Sequence, residues 1–346
     1  MTAEPIVEGF AVETAEHLIF SVKGVLHPPE RVIAYLRYLP DPSGDRRRAG
    51  VSFRRVYHFE EQVGLLRRRF PQYLRYDPVF GLEVQNVLRA RIRTVYDPRA
   101  YLDRLRSQGS DDPVEQDALA LAQQIQQAAG VPWSSLGVSG SVMLATHRPD
   151  SDLDLLVYGE ASSRAVCQAV GELFEEPGGA VRRLTDAELR ALHATHRPDT
   201  PLSFSDFCRL QQRKVNEGRF RQRPFFIRFV KHLDPPERYG EHHYQFIAQA
   251  TIRATISEDD EAIFTPCRYG VEHAVPIEGP PVDDLREIVS FRGRFSDQAR
   301  SGEVAEGRGR LERVVPRTGE TYHRLVVGGQ AGDYLLAGEN RTTGDA

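Results

Sequence analysis

The sequence is short of lysine, cysteine and long apolar runs, and each shortage excludes something. Among its 45 basic residues only Lys23, Lys214 and Lys231 are lysines. Where arginine is this dominant, an arginine-rich stretch by itself is no sign of nucleic-acid binding. The three cysteines, Cys167, Cys208 and Cys267, lie far apart without a CxxC pair. Neither a disulfide framework nor a zinc knuckle is expected, and the usage fits a reducing cytoplasm. No apolar stretch approaches membrane-spanning length, and the start MTAEPIVEGF has neither a basic segment nor an apolar run. The expectation is therefore a cytoplasmic protein with no membrane partner. Internal repeats and low-complexity blocks are missing as well, which argues against solenoids and linker-like chains.

What is present is enough apolar residue, 40% of 346 positions, to build two or three ordinary domains. Charge is unevenly distributed. Residues 1–110 carry 18 Lys+Arg against 13 Asp+Glu, while residues 241–346 carry 12 against 18. Residues 1–110 mix strands such as HLIFSVKGVL and RVIAYLRYL with a helix over FEEQVGLLRRRF, an α+β domain that could clamp nucleic acid. The polar stretch SQGSDDP (107–113) reads as a linker. From 111 to 240 helices and strands alternate, as in an α/β layer. There Pro113 and Gly130 punctuate one helix and a Thr185/Glu188 capping box starts another. Ser205 is expected to start a third, stopped by Gly218, and PFFIRFVKHL reads as a strand. Residues 241–335 read as strands and turns, a small β-barrel or sandwich. Residues 336–346 read as a disordered tail.

The chemistry concentrates in residues 137–159, GVSGSVMLATHRPDSDLDLLVYG. Asp152 and Asp154 stand at the head of an apolar strand. Alternation puts them on one face with Cα atoms about 6.6 Å apart, and turns Leu153, Leu155 and Val157 the other way. Two such carboxylates repel each other unless a hard divalent cation lies between them. Upstream, Gly140-Ser141 falls where a strand turns into a helix, a place where free N–H groups take phosphate and glycine permits close approach. Together these parts read as a site for a magnesium-bound polyphosphate. An EF-hand is excluded, because its sixth and twelfth loop positions would be Leu155 and Ala161 rather than Gly and Glu. A solvated Asp-rich turn at Pro149-Asp150-Ser151 is the bland alternative. It leaves the Gly-Ser turn and the apolar strand without a reason.

A Gly-Ser pair, ten residues and Asp-x-Asp on a strand resembles the signature of the DNA polymerase beta-like nucleotidyltransferase superfamily. The three-part layout also resembles uncharacterised archaeal and bacterial predicted nucleotidyltransferases. The resemblance implies a mixed sheet with helices, and transfer of a nucleotidyl group from ATP or another NTP with release of pyrophosphate. Asp152 and Asp154 would hold Mg²⁺ or Mn²⁺, and Gly140 and Ser141 would hold the terminal phosphates. Members that activate a hydroxyl carry a third carboxylate on a later strand. On PFFIRFVKHL the central polar residue is Arg228 instead, and neither Asp199 nor Asp206 is clearly on a strand.

Residues 209–231 hold eight basic residues against Glu217 alone, including two of the three lysines. Arg213 and Lys214 are the candidates there for phosphate contacts, against the alternative of a solvated helix face. Arg292/Arg294 and Arg308/Arg310 could each share a strand face, as could a polar outer surface. Arg46-Arg47-Arg48, Arg54-Arg55 and Arg67-Arg68-Arg69 are either a basic platform or solvated surface. His242, His243, Cys267 and His273 match no zinc spacing. RNA is the expected acceptor. The alternatives are a non-catalytic RNA- or nucleotide-binding protein on the same fold, and a transferase modifying a protein or a small molecule.

Overall fold

The computed structural model describes residues 5–233 and 237–338. The protein is mixed α+β and divides into two compact units. One comprises Met1–Asp77, Glu83–Arg183 and Val215–Tyr239, the other Pro78–Leu82, Leu184–Lys214 and Gly240–Ala346. The boundary expected near 110 falls inside the first unit, and the 184–214 segment groups with the C-terminal strands.

The first unit begins with β1 (Ala11–Thr14), β2 (Ile19–Val22), β3 (Arg31–Pro40), β4 (Arg46–Arg48) and β5 (Val51–Arg55). The turn-rich stretch 40–50, PDPSGDRRRAG, contains the short β4, paired with β5 as a hairpin. After α1 (Phe59–Arg69) come β6 (Leu74–Asp77), β7 (Leu82–Leu88) and β8 (Ile92–Tyr96). These strands form one sheet in the order β4-β5-β3-β2-β1-β8, with β7 paired to β3 and β6 to β7. Helix α1 has Glu60 and Glu61 in its first turn and three arginines in its last, the arrangement its dipole favours.

Helix α2 (Pro98–Gln108) follows, and α3 (Pro113–Ala129) is capped by Asp112, whose side chain accepts from the N–H groups of Val114 and Glu115. Gly130 closes α3 with φ +63°, a conformation glycine adopts without cost. Beyond it lie β9 (Leu136–Val138), α4 (Gly140–Met143), β10 (Leu153–Tyr158), α5 (Glu160–Phe174), β11 (Val181–Arg182), β12 (Glu217–Phe220) and β13 (Arg223–Val230). The helix expected to follow the Gly140-Ser141 turn is a single turn, ended before Ala145 turns to φ +52°. The five strands run β11-β12-β13-β10-β9, with β13 parallel and β9 antiparallel to β10.

Strand β10 is buried on both faces, which alternation alone did not predict. Leu153, Leu155 and Val157 point to one side, as expected. Leu156 and Tyr158, on the aspartate side, join Val7, Phe10, Val12, Phe20 and Leu36 of the N-terminal sheet in one apolar cluster. Burying side chains of this size stabilises by about 1.5–3 kcal/mol each, so the N-terminal sheet is part of the same core.

In the second unit, α6 (Asp186–His196) carries the expected capping box and α7 (Phe204–Gln211) is capped by Ser203 rather than Ser205. Gly218 does not stop this helix. It lies in β12, where a β-carbon would stand 2.7 Å from the carbonyl oxygen of Arg182. The remaining strands are β14 (His242–Glu258), β15 (Cys267–Glu278), β16 (Leu285–Ser290), β17 (Val304–Pro316), β18 (Tyr322–Val326) and β19 (Tyr334–Gly338). Pairing of β14 with both β15 and β17 closes β14-β15-β16-β18-β17 into a ring, with β19 added on β17. Its core includes Ile252, Tyr269, Ile288, Leu311 and Leu325.

Three sequence expectations change here. Arg292 and Arg294 are not a strand pair, because β16 ends at Ser290 and both lie within 4 Å of Asp199. Arg308 and Arg310 do lie on β17, but they pair with Glu278 and Glu312 at 2.5 and 2.6 Å. The tail expected from 336 instead continues β19 to Gly338, and residues 339–346 lie outside those described. Among the described residues no helix is long and apolar enough to cross a membrane.

Candidate functional site

The backbone brings Gly140-Ser141 and Asp154 together. Strand β9 pairs with β10, so the turn that leaves β9 passes beside the head of β10, and the Ser139 N–H donates to the Asp154 carbonyl at 2.8 Å. Gly140 adopts φ +63°, and a β-carbon there would come within 1.9 Å of Asp154 Oδ2. Glycine is needed first for the carboxylate of Asp154, a closer reason than room for a phosphate. Ser141 is buried. The first N–H groups of the α4 turn have no intrahelical acceptor.

Asp152 immediately precedes β10 and is exposed, whereas Asp154 is partly buried. Neither carboxylate has a hydrogen bond or ion pair among the described residues. Burial, and then the negative charge of Asp152, push Asp154 up to about 6, although Arg228, Arg37 and Arg55 pull the other way. A carboxylate that is buried beside another and left unneutralised is in the situation a hard cation relieves. The donor set of two aspartates fits one such cation. Among the described residues no cluster of three or more His, Cys, Asp or Glu side chains is placed to hold a metal.

The flank opposite Gly140 is cationic. In the parallel register of β13 with β10, Asp154 lies opposite Phe226 and Leu156 opposite Arg228. Arg228 thus lies on the face of Asp154, where a third carboxylate was sought and not found. Its guanidinium is held by Glu8, a buried carboxylate that also takes the Gly24 N–H at 2.6 Å and the Lys23 ammonium at 3.3 Å. Burial would raise the Glu8 carboxyl, but Lys23 and Arg228 hold it below the usual range. Asp199 and Asp206, the other candidates, belong to the second unit.

The N-terminal sheet adds Arg37 from β3 and Arg55 from β5. Both guanidiniums lie 5.3 Å from the centre of the Tyr57 ring. Neither has a hydrogen bond or an ion pair among the described residues, and the Nε of Arg55 is buried without a partner. An open cleft of about 260 Å³ is lined by Arg46, Arg55, Arg148, Asp150, Ser151, Asp152 and Pro224. Arg148 donates to both oxygens of Asp150, at 3.1 and 3.0 Å. Arg46 lies 3.4 Å from Asp45.

Arg213 and Lys214 are the other basic candidates. Both belong to the second unit, where Arg213 pairs with Glu303 at 2.7 Å and the buried Lys214 donates to the Arg294 carbonyl at 2.5 Å. Each charge therefore has a partner within its own unit, which the reading of them as phosphate contacts does not include. Of the other basic runs, Arg48 pairs with Glu13, Arg54 with Asp41 and Glu61, and Arg67 with Glu83. Cys267 is buried in the apolar core of the ring while His273 is exposed, so they do not share a metal site. Sequence reasoning missed Arg37 and Glu8 altogether, since each looks like an ordinary polar position beside a strand. Arg55 was visible only as one of a run.

The chain is 27% identical over 326 residues to "Uncharacterized protein MJ1086" of Methanocaldococcus jannaschii, which covers 92% of this chain and 94% of that protein. No family model matches the chain. No solved structure matches it.

Proposed function

We propose that the protein is a divalent-metal-dependent nucleotidyltransferase that moves a nucleotidyl group from an NTP to an acceptor, expected to be RNA, and releases pyrophosphate. The observation that carries this reading is two aspartates and two arginines gathered about Asp154, each without an ion-paired partner among the described residues, with Asp152 and Arg55 lining one cleft. Among the described residues Asp152 and Asp154 have no ion-paired cation and Arg37 and Arg55 no ion-paired anion, although Asp154 feels both guanidiniums. Partly buried charged groups without hydrogen-bonded partners are costly unless ligands complete them. A cation on the carboxylates and phosphates on the guanidiniums would do so.

In this reading Asp152 and Asp154 would hold Mg²⁺ or Mn²⁺, which when bound neutralises phosphate charge and supports displacement at phosphorus. The protein's own groups position the reactants. Gly140 and Ser141 offer backbone N–H groups to the terminal phosphates, and the arginine side of the cleft stabilises further negative charge. The tertiary arrangement of a Gly-Ser turn against the second aspartate of an Asp-x-Asp strand agrees with the sequence resemblance to polymerase beta-like nucleotidyltransferases.

One observation favours a second reading. Arg228 stands where a hydroxyl-activating carboxylate was sought, and Glu8 beside it is committed to two cations and an N–H. A nucleotide-binding protein without transfer activity would need no such base. Incubation with each α-³²P-labelled NTP, Mg²⁺ and total cellular RNA separates the two. Label transferred to RNA by the wild type, and lost in Asp152→Ala/Asp154→Ala, supports transfer. Label in a protein or a small molecule would change the acceptor class. Nucleotide binding without transfer to any acceptor would leave the binding reading.

A further inference from the structure

The two flanks of β10 differ in charge, and the difference bears on the acceptor. Gly140-Ser141 follows β9 on one flank, while Arg228 lies on β13 on the other, with Arg37 and Arg55 also acting on Asp154. Displacement at phosphorus is in line, with attacking and leaving oxygens on opposite sides. If the terminal phosphates lie toward Gly140-Ser141, the attacking group comes from the arginine flank.

A hydroxyl acceptor must lose a proton as it attacks, and arginine cannot accept one. The carboxylate paired with Arg228 is Glu8, which Arg228, Lys23 and the Gly24 N–H occupy and hold ionised below the usual range. It is a poor base. Arg37 and Arg55, by contrast, are two guanidiniums held against one tyrosine ring, with no hydrogen-bonded or ion-paired carboxylate among the described residues. Burial and the neighbouring charge of Arg55 lower Arg37 from its ordinary value. Such a pair is stabilised by a dianion that accepts several N–H bonds at once.

We infer that the acceptor is a phosphate monoester, taken on the flank formed by Arg37, Arg55 and Arg228, whose own anionic oxygen is the nucleophile. This rests on the nucleotidyl-transfer reading. An oxygen of the acceptor phosphate attacks the α-phosphorus of the NTP and a P–O bond forms. The bond from the α-phosphorus to the bridging oxygen breaks, and that oxygen leaves with the electron pair as part of pyrophosphate. No proton has to move, so no base is needed. The product carries a new phosphoanhydride joining the nucleotide to the acceptor.

The experiment has a binding arm and a transfer arm. Without metal, in EDTA, binding of a 5′-monophosphorylated ribo-oligonucleotide is compared with its 5′-hydroxyl twin, and glucose 1-phosphate with glucose. The phosphorylated member of at least one pair should bind about tenfold more tightly. Arg55→Gln and Arg37→Gln should each erase that preference while the circular-dichroism spectrum and unfolding midpoint stay near wild type. Equal binding of both members in both pairs overturns the inference, including the case in which the arginine variants lose affinity for the NTP instead. In the transfer arm, α-³²P-NTP with Mg²⁺ is supplied with the same acceptors. Label resistant to alkaline phosphatase and released as NMP by nucleotide pyrophosphatase supports the inference, and the acceptor that carries it tells RNA ends from small phosphates. Label on the 5′-hydroxyl RNA, resistant to the pyrophosphatase, overturns it while nucleotidyl transfer stands. Absence of both transfer and NTP–pyrophosphate exchange overturns both.

Discussion

Asp154 and Gly140 meet where a side chain would otherwise be: a β-carbon on Gly140 would stand 1.9 Å from Asp154 Oδ2. The two halves of the motif, separated by the Asp150-Ser151 turn, are thus one packed unit. The contact makes Gly140→Ala a double burden, combining the φ of +63° with displacement of a carboxylate. A positive φ of this kind costs a non-glycine residue about 1–3 kcal/mol. Gly140→Ala should lower stability by at least that amount and abolish NTP-dependent activity. In an Asp154→Ala background the overlap with the carboxylate disappears, leaving the backbone strain and a 3.0 Å approach to the β-carbon of residue 154. The two losses measured by urea unfolding should therefore sum to more than the double variant shows.

Asp154 should make stability fall as pH rises. Its ordinary value is 3.8 and the fold raises it to about 6, so the native state holds the proton more tightly than the unfolded chain. That contribution is complete below about pH 4 and is lost as pH climbs through 6. Two pK units correspond to at most about 3 kcal/mol. In EDTA, Asp154→Asn should be the more stable protein at pH 7.5, and its advantage over the wild type in unfolding free energy should grow between pH 4.5 and 7.5, since the opposite contributions of His27 and His196, which burial lowers, are common to both proteins. An unchanged slope in the variant would contradict the burial of this carboxylate.

Metal addition should reverse the same penalty. At pH 7.5, millimolar Mg²⁺ or Mn²⁺ should raise the unfolding midpoint of the wild type, because a ligand that binds only the native state stabilises it. Asp152→Ala/Asp154→Ala should show no such rise. Differential scanning fluorimetry with and without EDTA reads both.

Glu8 holds two cations, and its removal should be among the most damaging single changes. Glu8→Gln leaves Lys23 and Arg228 with no anion in a partly buried place, a loss of about 3–5 kcal/mol. Glu8→Gln combined with Arg228→Met should lose less than the sum of the single variants. Lys23, already lowered to about 8 by burial despite Glu8, should titrate lower still in Glu8→Gln, as followed by NMR of its methylated amine.

Lys214 serves the second unit. Its ammonium donates to the Arg294 carbonyl while the side chain is buried, and Lys214→Met should cost about 1.5–3 kcal/mol by removing a hydrogen bond from a charged donor, although the carbonyl keeps its bond from the Gln298 side-chain amide. Thermal unfolding and proteolytic susceptibility of the ring of strands would register the loss. Undiminished stability in this variant would return Lys214 to consideration as a ligand contact.

The sequence by itself determined the local pieces. Pro113, Asp112 and Gly130 delimit α3, Thr185 and Glu188 start α6, and alternation in DLDLLVY sets the inward face of β10, because caps and side-chain direction are fixed within a few residues. It also brought Gly140-Ser141 and Asp152-x-Asp154 into one motif, and placed Arg228 where a carboxylate was wanted. Only the tertiary structure decided what surrounds that motif. Arg37 and Arg55 reach Asp154 from about one hundred residues upstream because the N-terminal sheet packs on β10 through Leu156 and Tyr158, a long-range pairing no local pattern encodes. The same holds for Lys214: composition registers its charge, but the Arg294 carbonyl that absorbs it lies 80 residues away. A charge becomes a site or a structural tie according to what the fold sets beside it, and that is settled by packing between distant segments.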